Sequence, residues 1–497
     1  MPRLGTVDER FQSYNIEMVE VTGGRFWKPY ASTTASLPSA AHATDSNQLP
    51  GLSASLFEYR PPIDLSNPRL RMLAAALGPA YLRVSGSWAN TTFFLNSDEP
   101  APAAPPAGFN GVLTRKEWKG VVDFAHVANA EIVTSFAISP GTRDAAGVWT
   151  GNQAQLLLDY TRSIGGRIAA AEYFNEPNVP GPGGAPKGYD AAAYGRDVKL
   201  FRAFQQKAAP DMIFVGPGST SESTRTDQTT FPASIRMIPS ADLLTATGPV
   251  FDVFSYHSYG AASSRCSGMT GVAAAPPPDP LSDKWLSVST EIEAYYGGIR
   301  DRLLPGKPLW ITETAEAACG GDRWASTFLD SFRYLNQLGL LAKLGLQVHM
   351  HNTLASSDYG LLDENTFAPR PNYWSALLWR RLMGATVLDS GPSPAPGVYL
   401  YAHCLRDHPG GVALLVINAS RDQTQTVQLP IPSQRFTLTA ENLEDTQVQL
   451  NGSALKLDVD DALPKMMGIA TQAGPVTFAP ASITFLGVEN AQNASCR

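Results

Sequence analysis

Two short apolar runs of the chain each stop at a carboxylate. One is Ala169-Ala-Ala-Glu-Tyr-Phe-Asn-Glu-Pro-Asn178, and the other is Lys307-Pro-Leu-Trp-Ile-Thr-Glu-Thr314. Runs of this length do not by themselves tell strand from helix. In the first, Pro177 pushes the residue before it out of the helical region, which favours a strand that presents Glu176 at its end. Strand ends are where parallel barrels place their chemistry. An isolated glutamate there more often caps a loop or pairs with a surface cation. Two of them at two strand ends, Glu176 and Glu313, are what glycoside hydrolysis requires. One acid protonates the departing oxygen, and the other attacks the anomeric carbon or activates water.

The words around these residues narrow the reading. Phe174-Asn-Glu-Pro-Asn178 and Leu309-Trp-Ile-Thr-Glu-Thr314 resemble the acid/base and nucleophile motifs of retaining glycosidases built on (β/α)8 barrels. The chain is similar, more narrowly, to glycoside hydrolase family 79, which holds heparanase and β-glucuronidases. Four further stretches carry that resemblance: Tyr81-Leu-Arg-Val-Ser-Gly-Ser87, Ser255-Tyr-His-Ser-Tyr259, Cys319-Gly-Gly321, and Tyr359-Gly-Leu-Leu-Asp-Glu364 followed by Asn372-Tyr-Trp374. They run in order from about residue 12 to the C-terminus.

The resemblance implies a role for each residue. Glu176 is expected to be the general acid/base and Glu313 the nucleophile. Asn175 is expected on the sugar 2-hydroxyl. His257 and Tyr259 fall at a strand end, with Tyr259 or a neighbour donating to Glu313; an ordinary satisfied polar role for His257 carries equal weight. Gly320 and Gly321, through backbone N–H groups, and Tyr359, through its hydroxyl, match positions that read a uronate carboxylate. Ser87 and Asn352 are further substrate-contact candidates. The chain departs from the family locally, since six residues separate Glu313 from Gly320 and no tyrosine directly precedes the glycine pair. Glu316 is expected to point away from a uronate. Arg323 is either a direct cation partner or half of a surface ion pair.

The elements that must position these residues are legible as an alternation. Strands are expected at 12–21, 80–84, 131–138, 168–174, 212–215, 252–256, 309–312 and 346–350. Helices are expected at 67–77, 116–128, 153–164, 189–208, 284–303, 323–340 and 373–382. That order is the pattern of a (β/α)8 TIM barrel. Strand period two would put Glu17 and Glu20 on opposite faces of the first strand, and which of them meets substrate stays open. Long loops at 22–64, 98–112 and 262–281 favour a closed pocket, and Trp27, Tyr30, Phe57 and Tyr59 either line it or cover the barrel rim. Short strands at 398–403, 412–418, 426–429, 435–439 and 482–486 read as an antiparallel β-sandwich. The expected domains are a catalytic barrel over 12–385 and a structural β-sandwich over 386–497, with residues 1–11 packed on the latter.

Composition bounds the rest. The 497 residues are 43% apolar, which suits two sizeable cores. A formal charge of −7 without a long basic block speaks against nucleic acid or an anionic membrane surface as partner. The 38 Lys and Arg residues are dispersed, which argues against a highly sulfated chain as substrate. No run reaches the ~18 apolar residues of a membrane-spanning helix. The first eight residues do not read as a leader, so a secreted or periplasmic protein with its signal removed is expected. Four cysteines allow three pairings. The resemblance implies Cys404 with Cys496, leaving Cys266 and Cys319; four free thiols would suit a reducing compartment. Sequons at Asn90, Asn418, Asn451 and Asn493 matter only in a eukaryotic secretory host. The expectation is a monomeric retaining exo-β-glucuronidase acting on glucuronic-acid glycosides, with no metal or organic cofactor. An endo-acting heparanase, a barrel glycosidase for neutral sugars, and a carbohydrate-binding protein without turnover are the rivals.

Overall fold

The computed structural model describes residues 1–30, 53–223, 235–266 and 279–497. The loops expected at 22–64 and 262–281 therefore lie partly outside the described residues. Eight parallel strands close into a barrel: β1 Gln12–Glu17, β2 Ala80–Ser85, β3 Ala130–Ser135, β4 Ile168–Glu172, β5 Ile213–Ser219, β6 Val253–Ala262, β7 Leu309–Ala318 and β8 Val348–His351. Each is followed by a helix, among them Pro68–Leu77, Arg115–Val127, Ala191–Ala208, Phe328–Lys343 and Pro371–Leu382. Local chemistry sets several of their starts. Asn67 accepts from Leu70 N with Pro68 in the first turn, and Thr114 forms a reciprocal capping box with Glu117.

The barrel interior is layered. Its lower layer is an apolar plug of Tyr81, Val133, Ala170, Val215, Val253, Trp310 and Val348. Two residues further along, the same inward faces turn polar: Arg83, Ser135, Glu172, Ser255 and Thr312. Strand period two thus converts a hydrophobic floor into a charged upper layer.

Two strands differ from expectation at their upper ends. The first stops at Glu17, and Met18–Thr22 is a short helix. Glu17 and Glu20 therefore do not alternate across a strand. Glu17 N donates to Glu20 Oε2 at 2.6 Å as part of a capping box, so the helix turns both acids towards the same region. The sixth and seventh strands run on to Ala262 and Ala318, pairing along their whole length. The helix expected from residue 323 begins at Phe328, whose N–H donates to Asp445 O in the C-terminal region.

The C-terminal part is a nine-stranded sheet that begins directly after the helix Pro371–Leu382 with strand Met383–Leu388. The N-terminal strand Arg3–Thr6 joins it, pairing antiparallel with Met383–Leu388. A two-stranded ribbon, Gln425–Leu429 with Gly474–Phe478, covers one face through Leu429, Val476 and Phe478. The sandwich is therefore lopsided, with a two-stranded second layer. The other face packs on the helix Phe328–Lys343, where Tyr401 lies against Gly339 and donates to Asn336 Oδ1 at 2.7 Å. Fourteen of that helix's sixteen residues are buried, which is the signature of a helix enclosed between two layers.

Candidate active site

A single guanidinium organises the charged layer. Arg83 on β2 is fully buried and donates from Nη1 to Glu313 Oε2 at 3.0 Å, from Nη2 to Glu172 Oε2 at 2.8 Å, and from Nη2 to Asn175 Oδ1 at 2.7 Å. Burial alone would raise the Glu172 carboxyl, but Arg83, His257 and the Thr312 hydroxyl hold it down at about 2. Glu172 is thus a permanent anion beneath the site, and it keeps Arg83 in place.

Glu313 reaches this layer through an irregularity. Pairing between β6 and β7 shifts after Tyr256–Ile311, so that the next partners are His257 and Glu313 and Thr312 is the extra residue. Such a bulge turns two consecutive side chains to one face. Thr312 Oγ1 donates to Glu172 Oε1 at 2.7 Å while Glu313 meets Arg83. Beyond the bulge Thr314 and Glu316 face the surrounding helices. Tyr259 Oη donates to the other Glu313 oxygen at 2.6 Å.

Glu176 sits four residues past the end of β4 with φ +52°, a left-handed rather than extended backbone. Pro177 does exclude the right-handed helix there, but the chain bends and does not continue as a strand. His257 Nδ1 lies 3.1 Å from Glu176 Oε1 and 3.7 Å from Glu313 Oε2. Burial raises the Glu176 carboxyl, the His257 hydrogen bond opposes this, and the Glu313 charge adds to the rise. Burial disfavours an imidazolium at His257, yet Glu313 and hydrogen bonds to Glu172 and Glu176 bring it up to about 9. Asn175 is fixed on both sides of its backbone, since its N–H donates to Asn90 Oδ1 at 2.9 Å and its C=O accepts from Asn90 Nδ2 at 3.0 Å. Its own Nδ2 lies 3.4 Å from Ser87 Oγ. Asn90 is therefore a buried brace, and Asn418 is likewise buried with its amide bonded, so two of the four sequons are closed to glycosylation in the folded chain.

A fourth carboxyl, after Glu172, Glu176 and Glu313, joins the site. Asn352 Nδ2 lies 3.1 Å from Glu17 Oε1, 3.1 Å from Tyr259 Oη and 3.3 Å from Tyr359 Oη. Burial, then the Glu313 charge, raises the Glu17 carboxyl well above the usual range. Its Oε2 occupies the space beside Gly86, where a Cβ would come within 1.4 Å of it. Glu20 turns to the Ser356 hydroxyl, and burial pushes it up to about 7.

The remaining candidates form the rim. Gly320 and Gly321 both have φ +85°, and a Cβ on either would strike Trp27 and Ser357 or Tyr359 and Ala325. The pair is not a double donor as expected, because Gly321 N–H donates to Ala317 O at 3.2 Å. Among the described residues the Gly320 N–H makes no hydrogen bond. Glu316 points away from the barrel axis, as expected, and accepts from Asp322 N at 2.8 Å. Arg323 stacks over the Tyr30 ring, 5.2 Å from its centroid. Trp27 stacks on Phe57 at 4.6 Å, whereas Tyr59 is exposed. All four cysteines are paired, Cys266 with Cys319 and Cys404 with Cys496.

Glu176, His257 and Glu313 each offer a ligand atom within 4.8 Å of the others. The same three atoms suit proton and charge transfer, and Arg83 and His257 already bring positive charge to them. Arg83, Glu172 and Asn90 are positions of the candidate site that motif reading did not single out, and Glu17 is the one of the two first-strand acids that reaches the Tyr259 and Tyr359 hydroxyls through Asn352. Arg83 and Glu172 carried a usable signal, being charges at inward positions of strands otherwise made of apolar and small residues.

No family model matches the chain. Heparanase of Mus musculus is 28% identical to it, over 87% of this chain and 88% of that protein. Baicalin-beta-D-glucuronidase of Scutellaria baicalensis is 36% identical over a shorter stretch, 38% of each chain. Among solved structures, a 4-O-alpha-L-rhamnosyl-beta-D-glucuronidase from Fusarium oxysporum 12S superposes with a TM-score of 0.64 at 14% identity, covering 98% of both chains. At that identity the likeness speaks for the fold, barrel and appended sheet together.

Proposed function

This chain is a glycoside hydrolase related to the heparanases, and on that premise we propose that it is a retaining exo-β-glucuronidase. One observation carries the reading: an oxygen of Glu176 and an oxygen of Glu313 lie within 4.8 Å of each other. Retaining glycosidases hold their two carboxyls about 5–5.5 Å apart, whereas inverting ones leave about 6.5–9.5 Å for a water. Arg83 and Tyr259 hold Glu313 as the anion that attacks the anomeric carbon. Glu176, its pKa raised, protonates the departing oxygen. Forming the glycosyl-enzyme then removes the Glu313 charge that favours a protonated Glu176. Glu176 becomes a base for the incoming water, with the His257 cation beside it. We assign the Asn175 side chain, whose Oδ1 accepts from Arg83 and whose backbone is held by Asn90, to the sugar 2-hydroxyl.

The Gly320 N–H and the Tyr359 hydroxyl are the donors we assign to the uronate carboxylate. Exo action is supported by burial, since the Glu176 and Glu313 side chains are only 12% and 8% exposed. A terminal sugar entering end-on suits such a site better than a long chain laid across it. The similarity to heparanase along 87% of the chain favours endo cleavage as the second reading. Two disulfides suit a secreted or periplasmic protein. No helix among the described residues is long and apolar enough to cross a membrane.

The test is hydrolysis of matched aryl β-glucuronide and β-glucoside substrates beside a defined heparan oligosaccharide. Release from the glucuronide alone is expected. Internal cleavage of the oligosaccharide with little aryl-glucuronide turnover would establish the endo reading instead. Glu313→Gln and Glu176→Gln are each expected to abolish turnover, and normal kcat in either would remove the assignment of roles.

A further inference from the structure

The loop Cys319–Asp322 is held from several sides by groups that have no part in the bond-breaking chemistry. Three successive residues, Cys319, Gly320 and Gly321, have φ of +64°, +85° and +85°. A run of left-handed backbone that includes a non-glycine residue persists only where its surroundings over-determine it. Those surroundings are identifiable. Cys319 is bridged to Cys266, in the short helical turn Ser264–Cys266 that follows β6. Arg265, next to that bridge, donates to Gly321 O at 3.1 Å, pairs with Asp358, and lies over the Tyr30 ring at 4.1 Å. Asp358 N and Ser357 Oγ donate to Gly320 O at 3.0 and 2.9 Å. Both glycine carbonyls are thus turned onto the scaffold, and Asp358 joins the loop to Tyr359, the next residue. The two catalytic glutamates are held by other groups: Glu313 by Arg83 and Tyr259, Glu176 by His257.

We propose that the Cys266–Cys319 bridge and Arg265 form a specificity clamp. They are positioning residues that fix the Gly320 N–H against the Tyr359 hydroxyl, and so set the preference for a uronate over the corresponding neutral sugar. The proposal rests on the uronate reading given above. Because the glutamates are anchored elsewhere, loosening the clamp acts on recognition and spares the chemistry.

The experiment compares Cys266→Ser/Cys319→Ser, Arg265→Gln and wild type on aryl β-glucuronide and β-glucoside with the same aglycone. Cys404→Ser/Cys496→Ser serves as the control for a lost disulfide remote from the site. In both clamp variants the ratio of kcat/KM for glucuronide over glucoside is expected to fall about tenfold, the worth of one displaced hydrogen bond to a charged group. The fall should come through KM for the glucuronide, and the control should lower Tm without moving the ratio. Arg265→Gln keeps the bridge and answers the question if the double serine variant does not fold. An unchanged ratio in the clamp variants, or kcat lost equally on both substrates, overturns the proposal. A wild-type enzyme with no preference for the glucuronide overturns the uronate reading itself, whatever the variants do.

Discussion

Arg83 is the residue on which the site's electrostatics turn. It pairs with Glu172 and Glu313 at once and orients Asn175. Buried anions robbed of a charged partner are costly, about 3–5 kcal/mol for a broken buried pair. Arg83→Met is therefore expected to lower stability by that order and abolish turnover together, checked by denaturant unfolding beside kcat. His257 allows a more selective test. Activity requires Glu176 protonated, so it is present below the Glu176 pKa and lost as pH rises through it. Burial places that alkaline limb above the ordinary glutamate value of about 4.3. The His257 hydrogen bond pulls the pKa down, so His257→Phe should move the limb of kcat/KM to higher pH while reducing the maximum about 10²-fold or more. A limb that stays in place would mean that His257 does not govern Glu176.

At the level of elements, the site depends on where strands stop or slip. Alternation made the barrel strands legible, and the polar words at their ends made Glu176, Glu313, His257 and Tyr259 legible as a group. The upper ends were not. A bulge such as the one at Thr312 adds a residue without breaking the apolar run, so periodicity cannot register it, and alternation alone cannot turn both Thr312 and Glu313 to the same face. Glu17 and Glu20 look like strand residues because a five-residue helix is too short to show its own period. Gly321 could be matched to a motif, but whether its N–H is free depends on the Ala317 carbonyl, which only the folded turn reveals. The Ser85-Gly-Ser87 turn is a place where backbone decides directly. Gly86 has φ +87°, and the volume of an added Cβ belongs to Glu17 Oε2. Gly86→Ala should displace the Glu17 carboxyl and impose left-handed strain of about 1–2 kcal/mol, lowering Tm and kcat together. Unaltered kinetics in that variant would show that Glu17 has freedom to move.

Over the whole molecule, barrel and sheet behave as one body. The helix Phe328–Lys343 is buried by both, and its N-terminal N–H is capped from Asp445. A fragment ending at residue 382 would expose the Tyr401 side of that helix and leave strand Arg3–Thr6 without its neighbour. Such a fragment is expected to lack a cooperative thermal transition, as read by calorimetry. A fragment that melts cooperatively would show that the barrel stands alone.

The strand Arg3–Thr6 carries a temporal consequence. It leaves the ribosome before any barrel strand, yet its pairing partner, Met383–Leu388, emerges only after the eighth. The barrel closes just as late, because β1 finds β8 as one of its two neighbours. Both closures join segments from opposite ends of the chain, and such high contact order slows folding. During synthesis the nascent chain therefore carries its N-terminal strand unpaired until nearly four-fifths of its length has been made.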